Sequence, residues 1–193
     1  MKKGVMGTIK RVFGTLVFAA CLTLITGIFS VTISSAKTAK EINSEADAAL
    51  ELFLQQVKGG KEFLNAAKGV LVIPNIVKAG VGVGGEYGEG AMRIGGKTVE
   101  YYSIAAGSVG FQIGAQKANL ILVFKQDGAL NNFRRSSGWK AGVDGSVAFI
   151  DVGAEKSLDT INIRDPIVAF MYGQRGLMAS ATIEGAKFTK LVR

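Results

Sequence analysis

Two glycine runs are the first places where this chain could do chemistry. Gly80-Val-Gly-Val-Gly-Gly85 satisfies G-x-G-x-x-G, the loop that brings a backbone up to a dinucleotide pyrophosphate. That loop needs a strand before it and a helix straight after it, because the helix N-terminus holds the phosphates. Here Glu86-Tyr-Gly-Glu-Gly90 follows, with more glycine, no helical face and two carboxylates where a phosphate needs donors. Ile94-Gly-Gly-Lys-Thr98 ends like a phosphate-binding P-loop, but the earlier glycine that motif requires falls on Ala91. Both runs read instead as sheet: a tight Gly-Gly turn between strands at 95–96, and a strand whose glycines let another backbone or a bulky side chain come close. Tyr87, Phe111 and Trp139 are the aromatic residues placed to cover the bare face.

The remaining catalytic options are few. The chain has no histidine and one cysteine, Cys21. Ser-His-Asp and Cys-His machinery and the common zinc sites all lack their residues, and no internal disulfide can form. No cofactor or metal is expected. Glu86 and Glu89, with Asp144 or Asp151, could work as a carboxylate pair on glycans, but nothing in the sequence brings them together.

Basic residues offer the alternative chemistry, contact with anions. Lys68, Lys78, Arg93, Lys97, Arg134, Arg135, Lys140, Lys187, Lys190 and Arg193 are candidates. Lys68 and Lys78 rank first because they bracket the glycine run, and Arg134-Arg135 next as an adjacent pair able to grip phosphate in fork geometry. The expected lipid-binding set is Lys68, Lys78, Arg134, Arg135 and Lys140. Any one of these can equally be an ordinary solvated charge.

The elements that must position these residues follow from apolar periodicity. Ile42, Ala46, Ala49, Leu50, Phe53, Leu54 and Val57 recur at helical spacing from Ala39 to Val57, with Glu41, Glu45, Asp47 and Glu51 on the other face. Gly59-Gly60 stop this helix, and residues 61–68 form one or two more turns. Strand-like stretches follow: Val70–Ile73 closed by Pro74, Ala79–Gly85, Tyr101–Ile113, Asn119–Lys125, Trp139–Val152 and Leu177–Lys187. A helix is expected over Asp127–Ser136, with Leu130 and Phe133 inward and Arg134-Arg135 outward. The segment from Asp165-Pro166 to Tyr172 reads as a short helix or a strand, and the helix is expected because Pro suits a first helical turn. The fold class is α+β: a helical N-terminal region, then a Gly-rich, mainly antiparallel, barrel-like sheet with one or two short helices. At 48% hydrophobic and 20% charged residues, one folded domain over 37–193 is expected.

Residues 1–36 read as a separate targeting segment. Lys2, Lys3, Lys10 and Arg11 precede an apolar run from Val12 to Ile33 and then Ser34-Ser35-Ala36. That fits a signal peptide cleaved after Ala36, an uncleaved anchor over 12–33, or, through Phe18-Ala-Ala-Cys21, lipidation at Cys21. Each places the domain in the periplasm or elsewhere in the cell envelope. Of 23 basic and 15 acidic residues, four basic ones lie in this segment. The remaining excess of about four is too mild to argue for nucleic acid.

The run Ala67-Lys-Gly-Val-Leu-Val-Ile-Pro-Asn-Ile-Val-Lys-Ala-Gly-Val-Gly-Val-Gly-Gly-Glu-Tyr-Gly-Glu-Gly90 resembles the signature of the SYLF-domain family. Gly107–Gln116, Leu120–Phe124, Trp139–Phe149 and Tyr172–Ala186 agree in the same order. The resemblance implies a lipid-binding module, in some eukaryotic members binding phosphoinositides and actin filaments, with no catalytic activity. This chain departs from those members: its first helix is acidic on the polar side, and no SH3 or FYVE domain accompanies it. The expectation is a non-enzymatic module of a bacterial cell envelope that binds anionic lipid head groups, with actin not expected as a partner. A structural protein that offers sheet edges to an envelope protein partner is the alternative, and a carboxylate enzyme comes third.

Overall fold

A computed structural model describes residues 36–152, 164–175, 183 and 185–193. The chain divides into two compact units, Met1–Ala36 and Lys37–Arg193, and the second carries the fold. The targeting segment with Cys21, and residues 177–182 of the strand expected at 177–187, lie outside the described residues.

Helix α1 (Ala39–Gln56) opens on a capping box. The Glu41 backbone N–H donates to the Thr38 hydroxyl, and the Glu41 carboxylate accepts from the Thr38 backbone N–H at 2.7 Å. Two amide donors that no helix can satisfy internally are thereby paired. Ile42, Ala46, Ala49 and Phe53 form the buried stripe expected from their spacing. Gly59, at φ +83°, turns the chain into α2 (Gly60–Ala66).

Strands β1 (Gly69–Ile94) and β2 (Lys97–Phe124) form one long antiparallel ribbon. Gly95 and Gly96, at φ +57° and +78°, make the tight turn that the Gly-Gly-Lys sequence predicts. Pro74 does not close a strand, contrary to expectation. It sits in a bulge between Ile73 and Ile76, where a missing N–H disrupts no ladder bond. Asn75 takes φ +51° there, and its N–H donates instead to Asn119 Oδ1 at 3.0 Å. The two strands expected over 101–125 are likewise one.

The ribbon is folded back on itself. Lys78 Nζ lies 2.6 Å from Glu86 Oε1, although eight extended residues would span about 26 Å. A Cβ on Gly88 would strike Ile73 and Ile76, and one on Gly90 would lie 2.0 Å from the Val72 carbonyl oxygen. These contacts place the reversal between residues 78 and 86, within the glycine run. Close backbone approach is thus seen at Gly88 and Gly90, beyond the Gly80–Gly85 run for which it was expected, and the approaching backbone is the first half of the same strand.

After β2 come α3 (Asp127–Arg135), β3 (Trp139–Lys140), β4 (Val147–Asp151), β5 (Ile167–Arg175) and β6 (Lys187–Leu191). One edge of β2 carries β1. The other carries β6 along residues 101–105 and β5 along 117–124, with β3 beyond β6 and β4 parallel to β5. The sheet curls into a half-barrel, and the α+β class is as read from the sequence. The stretch 139–152 is broken by a turn at Gly142, φ +77°, that the sequence reading missed. The segment expected as a helix after Asp165-Pro166 is β5, and burial explains it. Ile167 to Tyr172 are all at most 2% exposed, so both faces of the strand are covered, whereas a helix would leave one side wet.

Those two faces belong to two cores. Inside the curl, Leu120, Leu122, Phe124, Ile167, Ala169 and Met171 pack with Phe133, Trp139 and Phe188. Outside it, Ile121, Val123, Val168, Phe170 and Tyr172 lie under the α1 stripe. Phe53 meets Phe170 edge-on at 5.2 Å, and the Tyr172 hydroxyl donates to the Ala49 carbonyl at 2.7 Å. Each fully buried aromatic side chain contributes about 1.5–3 kcal/mol. With both cores and its own N-cap, the unit Lys37–Arg193 holds what it needs to fold alone.

Candidate functional site

Most of the candidate basic side chains are held by carboxylates. Lys78 pairs with Glu86 at 2.6 Å, with 15% and 8% of the two side chains exposed. Arg134 grips Glu100 through Nε and Nη2, both at 3.0 Å, so its fork is occupied by a residue of the chain itself. Lys190 reaches the same carboxylate at 2.6 Å, and the Tyr102 hydroxyl donates to it at 2.8 Å. Burial disfavours the ionised Glu100, but these three donors outweigh it and hold the carboxyl down at about 2. Arg193 donates to Glu89 at 2.9 Å, and the Tyr87 hydroxyl donates to Glu89 at 2.7 Å. Burial and the Glu89 carboxylate push the Tyr87 phenol up to about 12. Arg93 meets Asp47 at 2.7 Å. Lys68 is exposed, and its Asp127 partner stands 3.9 Å away, a weak pair in water.

The carboxylates expected as an acid/base pair are not brought together. Glu86 and Glu89 stand three apart on one regular stretch of β1, so they point to opposite faces. Asp144 accepts the Lys140 backbone N–H at 2.7 Å and shapes the turn after β3. Asp151 ends β4. Among the described residues, no three His, Cys, Asp or Glu side chains could together hold a metal ion. Among them, too, no helix is long and apolar enough to cross a membrane.

One basic pair remains unlike the others. Lys140 and Lys187 are directly opposed on β3 and β6, next to the buried pair Trp139 and Phe188. Opposed residues share a face and neighbours along a strand alternate, so the lysines point away from the core. Both are exposed, and neither has a carboxylate within ion-pair distance among the described residues. The row continues through Ala105 on β2 to Tyr87 on β1, a residue 52% exposed. At about 4.8 Å per strand, Tyr87 stands about 10 Å from Lys187 and 14 Å from Lys140. The Lys187 side chain runs over Gly138, where a Cβ would come 2.5 Å from its Cε. Arg135, exposed at the end of α3, precedes this strand by four residues.

Of the five expected lipid contacts, then, Arg135 and Lys140 have no ion pair among the described residues, Lys68 is loosely paired, and Lys78 and Arg134 are engaged. Sequence reasoning named Lys187 without ranking it and gave Tyr87 a packing role. The two-residue period that sets Tyr87 and Glu89 on one face was available in the sequence, but the strands lying beside them were not.

Residues 105–191 match the model of the family described as Ysc84, Las17-binding protein actin regulator. The match runs from β2 through β6 and includes Lys140 and Lys187. No curated protein matches the chain.

Proposed function

We propose, from the premise that residues 105–191 form a domain of the Ysc84 (SYLF) family, that this chain is a non-enzymatic module that docks on an anionic lipid surface of a bacterial cell envelope. The family supports a binding role. The opposed lysines on the outward face carry the reading for this chain. Like charges directly opposite one another destabilise a sheet, and an anionic partner reverses that sign. Lys140 and Lys187 supply the charge, Arg135 and Lys68 add to it, and Tyr87 supplies an amphipathic ring of the kind that settles at head-group depth. The Las17-binding and actin-regulating role stays with the family description.

The test is co-sedimentation of Lys37–Arg193 with neutral and with phosphatidylglycerol-containing vesicles across a salt series. Binding to the anionic vesicles alone, fading as salt rises past the point where the Debye length is about 8 Å, supports the reading. Equal binding to both, or to neither, overturns it, and the second result turns the search to a protein partner.

A further inference from the structure

A cleft of about 370 Å³ lies between the α1–α2 corner and the β1–β2 turn, away from the lysine row. Its walls include Leu50, Leu64 and Val70, and Arg93, Gly95 and Gly96 close the other side. The volume falls at the small end of ligand clefts, and the pattern is theirs as well: apolar walls with one charged group that fixes orientation.

Arg93 is the group that defines what fits. Its side chain is only 15% exposed, and its donors are incompletely met. Nη1 holds Asp47 at 2.7 Å, Nη2 reaches the Asn43 carbonyl at a long 3.4 Å, and Nε is shielded from solvent without an acceptor. Nε, being shielded, is out of a cleft ligand's reach, so the groups open to exchange are Nη1 and Nη2, and a guanidinium takes carboxylate or phosphate through two parallel N–H bonds. Asp47 is 61% exposed, so it can be displaced toward water at small cost. Lys97, next to the Gly96 wall, is exposed and has no ion pair among the described residues, which adds positive potential at the mouth.

We infer that this cleft binds a single-chain anionic amphiphile, an alkyl phosphate or fatty carboxylate, with its head on Arg93 and its chain along Leu50, Leu64 and Val70. The occupant is a free monomer held in a pocket, which makes the site independent of the lysine row that faces a membrane surface.

Calorimetric titration of Lys37–Arg193 with octyl phosphate below its micelle-forming concentration tests this, beside inorganic phosphate and octyl glucoside. Saturable one-to-one binding of octyl phosphate is expected, with both controls at least about tenfold weaker because each lacks half of the recognition. Asp47→Asn removes the competing carboxylate from an exposed position and should tighten binding severalfold. Leu64→Trp fills the cleft without touching Arg93 and should abolish binding, whereas Lys140→Glu with Lys187→Glu should leave it unchanged. Equal binding of inorganic phosphate, no gain in Asp47→Asn, or full binding by Leu64→Trp would each overturn the assignment.

Discussion

Against the folded ribbon, the shielded cations Lys78, Arg134 and Arg193 each meet one of its carboxylates, whereas on the β3–β6 corner two lysines face each other with none among the described residues. The difference has a physical reason. A buried charge without a partner would cost several kcal/mol, and pairing these cations offsets the cost of shielding them. The lysine pair lies in water, where leaving it unpaired costs little, and its charge stays available to a partner. A count of basic residues therefore overstates the binding surface.

The comparison can be broken at several points. The largest effect is expected where the ribbon layers touch. Gly90→Ala puts a methyl group against the Val72 carbonyl and should cost about 3 kcal/mol or more, against less than about 1 kcal/mol for Gly85→Ala, whose nearest neighbour is 3.9 Å away. Urea denaturation of the two variants measures the contrast. Next comes Glu100→Gln, which leaves Arg134 and Lys190 without their carboxylate and should cost about 2 kcal/mol. The same group predicts a pH dependence. Its folded-state value of about 2 lies below the ordinary 4.5, so its contribution is complete above pH 4.5 and is lost as pH falls toward 2. The acid limb of the wild-type stability profile should therefore be shallower in Glu100→Gln. The smallest effect has the opposite sign. Lys140→Glu turns a like-charge pair into an ion pair with Lys187 and should raise stability by a few tenths of a kcal/mol, read as a small rise in melting temperature, while weakening vesicle binding.

Much of the fold was legible because local rules and tertiary packing agreed. The stripe on α1, the Gly-Gly turn at 95–96 and the helix carrying Leu130 and Phe133 all follow from spacing and turn chemistry. Ile167–Tyr172 misled because a proline opening an apolar run suits a helix as well as a strand. Only its place between β2 and β4 decides, and its β2 partners stand over forty positions away. Pro74 misled in the same way, since a bulge is invisible until the partner strand is known. The site was legible as a list of cations and not as a surface. Glu86, Glu89 and Glu100 decide which cations are spent, and the fold-back and strand order that bring them there leave no local pattern. Lys187, one candidate cation among ten, gains its place in the row only because β6 lies beside β3.

The most direct test compares vesicle affinities of two neutralised proteins, Lys140→Gln with Lys187→Gln and Arg134→Gln, at one salt concentration. Each lysine near an anionic surface contributes about 1 kcal/mol, so the double variant should bind about thirtyfold more weakly. Arg134→Gln removes a charge already committed to Glu100 and should stay within about twofold of wild type. Equal losses in the two, or a larger loss in Arg134→Gln, would contradict the claim that carboxylate pairing separates the cations held by the fold from those open to a membrane surface.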